Sequence, residues 1–241
     1  MFGNNSGLGE KDSRILYELA WNRALLAAAA VCFGLAGPGL VLAQDLRLEP
    51  VDEASRNPGF AAYRAALLEA VHRRDADYVV SQASQDIKLS FGGDYGRENF
   101  RLALTGNDEW QGEPYWRELQ TVLELGGVFM EDGAFCTPYL ACIDVPGCSR
   151  CDPYETVYVI RKDAVARTAP KANASVAAKL SWSVLQLDYE AQGTEGWYPV
   201  KLPPGRTVYL STEDSRMAID YRARIEKTAE GWRITVFIAG D

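Results

Sequence analysis

Val165-Ala166-Arg167-Thr168-Ala169-Pro170 opens the stretch around which this chain is organised, and Gly196-Trp197-Tyr198-Pro199-Val200-Lys201-Leu202-Pro203-Pro204-Gly205-Arg206-Thr207-Val208-Tyr209-Leu210-Ser211 closes it. Between them, residues 176–180 and 184–189 read as strands on either side of Ser181-Trp182-Ser183. Residues 192–196 make a turn ahead of a strand over 197–202, and Pro203-Pro204-Gly205 turns the chain again before a strand over 207–210. A strand over 156–160 leads in. Several short strands punctuated by glycine and proline predict a small, curved β-barrel or sandwich over residues 154–215.

Upstream the period changes from two to about three and a half. Asn57-Pro58 combines a capping side chain with proline at the first helical position. Phe60, Tyr63, Leu67, Leu68 and Val71 follow on one face, which predicts a helix over residues 58–73. Asp75 is placed to cap a shorter helix holding Tyr78, Val79 and Ala83. Ile87, Leu89 and Phe91 then alternate with polar neighbours, as a half-buried strand does, until Gly92-Gly93-Asp94 turns the chain. Helices are expected over 97–104 and from Glu113-Pro114 to the stop at Gly126-Gly127.

Downstream, Ile219, Tyr221, Ala223 and Ile225 alternate with charged residues, residues 228–231 turn, and Trp232, Ile234, Val236 and Ile238 alternate back. That hairpin needs an apolar surface, and the helices with the Ile87 strand lack sheet of their own. The fold class is therefore α+β: N-terminal helices with a curved antiparallel sheet completed by the C-terminal hairpin, plus the small β-barrel. The expected organisation is a signal segment 1–43, a linker 44–57, a helix-rich region 58–135, a cysteine-rich connector 136–153, the barrel 154–215, and a hairpin 216–241 packing on 58–135.

Residues 24–43 are uncharged, follow Arg14 and Arg23, and close on Val41-Leu42-Ala43. A basic flank, an apolar core and small residues at the last and third-last positions predict a secretory signal cleaved after Ala43, and so a periplasmic or secreted protein. The alternative is a retained membrane anchor, since about 20 apolar residues span a bilayer. Glu10, Asp12 and Glu18 are untypical of a signal, which suggests a true start downstream of Met1. Ala29-Ala30-Val31 ahead of Cys32 lacks the small residue that lipidation requires next to the cysteine.

Cys136, Cys142, Cys148 and Cys151 fall within sixteen residues rich in turn formers, which argues against backbone ladders there. In an exported chain they predict two disulfides, with three pairings open. A zinc knuckle at Cys148-Ser149-Arg150-Cys151 and a redox-active pair at the same place are the alternatives, although Asp152-Pro153 leaves no helix to lower a thiol pKa.

Residues 157–211 resemble the bacterial SH3-like domain family. The resemblance rests on Ala166-Arg167-Thr168-Ala169-Pro170, similar to a Val-Arg-x-x-Pro opening, on the Leu180 and Val184 strands, and on Trp197-x-x-Val200. Gly205-x-x-Val208-Tyr209-Leu210 resembles the family's closing Gly-x-x-Gly-Tyr-Val, with Val208 in place of the last glycine, and Trp182 stands near where a glycine is usual. The match covers about a quarter of the chain. It implies an SH3-like β-barrel, partly open, whose exposed aromatics touch peptides or cell-wall material. Residues 58–91 with 218–241 resemble, in their order of elements, the nuclear-transport-factor-two-like fold.

Composition narrows the chemistry. The chain has 241 residues, a net charge of −8 and scattered Lys and Arg, which disfavours nucleic acid because phosphate neutralisation needs clustered positive charge. Its one histidine, His72, reads as a solvated residue on a helix, so a multi-histidine metal site is excluded and a catalytic triad has one imidazole to recruit. No cofactor, metal site or catalytic residue is expected. Asp94, Asp108, Glu109 and Glu113 leave room for acid–base chemistry by loop carboxylates, the alternative being an envelope hydrolase acting on a glycan or peptide, or thiol exchange at Cys148 and Cys151. Gly92-Gly93-Asp94-Tyr95-Gly96 lacks the lysine and the spacing of a phosphate loop. The favoured expectation is a non-enzymatic binding protein using Trp182, Tyr189, Tyr198 and Tyr209 on a peptide or peptidoglycan fragment, with a membrane as partner only if the signal segment is retained. Trp197 is expected in the core and Tyr198 on the surface.

Overall fold

The computed structural model describes residues 46–240, apart from 108, 110 and 150. The expected signal segment, Asp108 and Arg150 lie outside the described residues. Four helices precede most of the sheet. Helix α1 (Pro58–His72) starts as its sequence predicts, with Asn57 Oδ1 accepting from the Phe60 amide at 3.1 Å. Helix α2 (Ala76–Ser81) is capped in the same way, by Asp75 Oδ1 on the Tyr78 amide at 3.0 Å. Helices α3 (Arg97–Thr105) and α4 (Glu113–Glu124) complete the layer.

These helices cover a five-stranded sheet in the order β1 (Ala83–Lys88), β12 (Gly231–Ile238), β11 (Arg222–Thr228), β3 (Phe135–Thr137), β2 (Val128–Phe129). Three expectations are corrected here. Residue 83 does not belong to the second helix, because the Ile234 amide of β12 donates to the carbonyl of Gln82 at 3.0 Å and draws the chain into the sheet. The strand therefore ends at Lys88, and Phe91 lies exposed in the loop that folds back through Leu89 and Asp94. The sheet is not wholly antiparallel either, since β1 runs parallel to β12. A parallel pair needs a long crossover, and the whole chain between the two strands supplies it.

The connector also departs from expectation. Cys136 sits in β3, opposite Arg224 of β11 and Val128 of β2, so part of the segment is laddered. Gly127 makes this possible: a Cβ there would stand 2.1 Å from the Cys136 carbonyl oxygen. Thr137 Oγ1 then donates to the carbonyls of Val122, at 2.6 Å, and Gly126, at 2.8 Å, tying the strand to the end of α4. The pairing left open by sequence is Cys136–Cys142 and Cys148–Cys151.

The second sheet has seven strands in the order β10 (Ser215–Met217), β4 (Thr156–Val159), β7 (Val184–Leu187), β8 (Trp197–Leu202), β9 (Arg206–Ser211), β5 (Ala164–Arg167), β6 (Val176–Leu180). All of its pairs are antiparallel. It curls around one core of Val157, Val159, Ala166, Val200, Val208, Leu210 and Met217, without closing between β6 and β10. Arg216 and Met217 belong to this sheet rather than to the terminal hairpin. A tight turn at Asp220, whose Oδ2 accepts from the Met217 amide at 2.8 Å, separates β10 from β11.

Residues 46–52 do more than connect. The Val184 amide donates to Leu46 and the Leu48 amide to Trp182, while Leu48 packs with Tyr139, Leu140, Tyr158 and Val184 in a third apolar cluster. That cluster joins the first strap of chain, the cysteine segment and the edge of the curled sheet.

Candidate functional site

Helix α4 has two faces, and the site follows from the one that is not core. Trp116, Leu119, Val122 and Leu123 face the five-stranded sheet. Pro114, Arg117, Glu118 and Thr121, spaced by three and four, line the opposite side. Against that side the Asp220 turn brings Ile219, Asp220 and Tyr221, β10 brings Arg216, and β8 brings Tyr198. The result is a cleft of about 910 Å³ between α4 and the adjoining ends of the two sheets. It is within the size range of small-ligand pockets.

Its floor is a buried polar cluster. Arg216 is 5% exposed. Its Nη1 donates to Glu118 Oε2 at 2.9 Å, and its Nη2 reaches the Tyr221 carbonyl at 3.3 Å. Its Nε is buried with no hydrogen-bond partner. The Tyr198 hydroxyl lies 3.3 Å from Asp220 Oδ2. Burial pushes the Asp220 carboxyl above the ordinary carboxylate range, with the Arg216 charge opposing the shift. Burial also pushes the Tyr198 and Tyr221 phenols up, so both stay neutral hydroxyl donors at physiological pH. The rim carries Glu109, Glu124 and Glu213 with Arg117 and Arg161.

A raised pKa means that folded Asp220 holds its proton more tightly than the unfolded chain does. Its contribution to stability is complete below the unfolded carboxylate pKa and is lost as pH rises through the folded value. Asp220→Asn is thus expected to gain stability relative to the parent as pH is raised from about 4 to about 7. Denaturant midpoints of both proteins at the two pH values measure this, and a gap that stays constant would contradict it.

The sequence candidates are scattered. Of the four aromatics, Tyr198 alone lines the cleft. Its side chain lies on the core side of β8 with Val200 and Leu202, while Trp197 is outside that core, the reverse of the expected alternation. Tyr209 pairs with Pro199 and Arg167 on β9, between the core residues Val208 and Leu210 and so on the opposite face. Trp182 occupies the β6–β7 turn at φ +56°, and Tyr189 is 63% exposed with its hydroxyl donating to the Tyr154 carbonyl. Glu109 lines the cleft, whereas Glu113 is paired with Arg74 at 2.7 Å and Asp94 lies in the β1–α3 loop. His72 meets Glu124 at 2.8 Å with both side chains about half exposed. The four connector cysteines are joined in pairs, so none is a thiolate donor, and among the described residues no cluster of three or more His, Cys, Asp or Glu has the arrangement of a metal site. No described helix is long and apolar enough to cross a membrane.

Sequence reasoning missed Glu118, Arg216 and Asp220. The helical spacing of Arg117, Glu118 and Thr121 was visible, but nothing in it said that the polar face of α4 meets a sheet. Comparison of the chain with family models, curated proteins and solved structures finds no match.

Proposed function

We propose that this is an exported, non-enzymatic binding protein of the bacterial envelope that holds an extended peptide, or the peptide of a cell-wall fragment, in the cleft beside α4. In this reading the curled seven-stranded sheet is an SH3-like module, and the helices with the five-stranded sheet are a cone of the nuclear-transport-factor-two-like kind. The observation that carries the proposal is the cleft itself, where Tyr198, Tyr221 and Ile219 offer contact area beside charges of both signs on arginines and carboxyl groups. Aromatic surface gives affinity at low entropic cost, and mixed charge suits a peptide's alternating donors and acceptors. Two disulfides suit an oxidising compartment.

The test is retention of peptides or soluble cell-wall fragments by the immobilised full chain, with Thr121→Arg as the comparison. Thr121 lines the cleft from α4, and a long side chain there fills it. Retention by the parent and its loss in Thr121→Arg, at an unchanged melting temperature, is the expected result. Retention of nothing would remove the reading, and release of shortened fragments would replace it with the hydrolase alternative.

A further inference from the structure

We infer that the guanidinium of Arg216 is the carboxylate-binding subsite of this cleft and takes the C-terminal carboxylate of a bound peptide. The inference rests on the binding reading above and names the chemistry that its deepest group recognises. A guanidinium presents two edges to a carboxylate, an end-on edge made by Nη1 and Nη2 and a side-on edge made by Nε and Nη2. In Arg216 the Nη1 end is committed to Glu118 at 2.9 Å. The side-on edge is nearly idle: Nη2 has one long bond, 3.3 Å, to the Tyr221 carbonyl, and Nε has none.

Arg64 shows how this chain treats an arginine whose work is structural. It is 8% exposed, close to Arg216 at 5%. Its Nε and Nη2 both donate to the Leu123 carbonyl, at 3.1 and 2.6 Å, and its Nη1 to both oxygens of Asp52. Every nitrogen is used. Arg233 also has an unpartnered Nε, but it lines no part of the cleft, whereas Arg216 does. A buried, unpartnered Nε and a place in the cleft lining coincide at Arg216 alone of these three.

The neighbours select the ligand. The Asp220 carboxyl is turned to partners within the fold, accepting from the Tyr198 hydroxyl at 3.3 Å and from the Met217 amide at 2.8 Å, so it does not occupy the open edge of Arg216. Glu118 already pairs with Arg216, and Glu124 and Glu213 stand on the same lining, so a singly charged carboxylate is opposed less than a multiply charged anion such as a phosphate ester. The volume of about 910 Å³ leaves room for a larger body behind the carboxylate. A peptide end fits those conditions.

The experiment is an NMR titration of the full chain, ¹⁵N-labelled, with N-acetyl-dialanine, with the same dipeptide as its C-terminal amide, and with acetate. The Arg216 Nε–H resonance, assigned by its disappearance in Arg216→Lys, is the direct readout. The free acid is expected to shift that resonance and to bind at least about tenfold more tightly than the amide, the value of one charge-assisted fork. Acetate is expected to shift it only weakly. Should Arg216→Lys fail to fold, Tyr198→Phe serves instead, with a weaker acid-over-amide preference expected. Equal binding of acid and amide, acid binding that leaves the Arg216 resonance in place, or no perturbation at the highest soluble concentration would each overturn the subsite. Acetate as effective as the dipeptide would reduce it to a site for small organic acids and overturn the peptide end. Retention of cell-wall fragments with no acid preference would sink the subsite and leave the binding proposal standing, and an acid preference without such retention would keep the subsite and overturn the cell-wall fragment as ligand.

Discussion

Phe60→Ala is expected to destabilise the protein by about 3–5 kcal/mol, a large part of the stability of an ordinary domain. Phe60 is fully buried at the start of α1, where the Asn57 cap fixes the entry of the helix. Its ring lies 4.4 Å from that of Phe135 in β3, 4.9 Å from Trp232 in β12, 5.3 Å from Phe129 in β2 and 6.2 Å from Tyr63 one turn on. One side chain therefore bridges the helix layer and three strands. Truncation loses the transfer energy of the ring and leaves a cavity among aromatics that are too large to collapse into it. Phe91→Ala is the control. That ring is 48% exposed and its contacts are to the charged ends of Lys88 and Arg222, so its loss is expected to cost no more than about 1 kcal/mol. Urea unfolding of both variants measures the contrast, and a Phe60→Ala cost below that of Phe91→Ala would show that this cluster does not hold the layers together.

The Phe60 cluster also marks how far the fold is legible in the sequence. The helix carrying Phe60 was legible because cap, proline and apolar spacing agree within a few residues. The β8 and β9 strands were legible for the same reason, their turns being written in Gly196 and in Pro203-Pro204-Gly205. Phe129 and Phe135 were not, because β2 and β3 span two and three residues, too few for a period to repeat. Cys136 looked like part of an irregular connector because its ladder partners, Val128 and Arg224, lie on either side of it in the chain, and only one is local. The cleft is a still more distant event. Glu118 and Arg216 are nearly a hundred residues apart, and each taken alone is an ordinary charged residue on a helix or a strand. What makes them a site is burial, and burial of a polar residue depends on which layers meet rather than on any local pattern.

That dependence gives the second large effect, at the ion pair itself. Glu118→Ala is expected to cost about 2–3 kcal/mol, because it leaves the Arg216 cation, 6% exposed along its side chain, without its ion-pair partner. The cost stays below that of a fully buried pair because Glu118 is itself 38% exposed, so water can approach part of the vacated space. Arg216→Met is expected to cost less than Glu118→Ala: it fills similar volume with apolar atoms and leaves Glu118 free to turn toward solvent. The double variant, Arg216→Met with Glu118→Ala, is then expected to be no less stable than either single one, giving a coupling energy of about 2 kcal/mol or more in a double-mutant cycle read by urea unfolding. Additive single costs would mean that the pair is not coupled. If the double variant also matches the parent in stability, an apolar floor serves the fold as well as the charges do, and a buried arginine with an unused edge is then explained by what it holds in the cleft rather than by what it holds together.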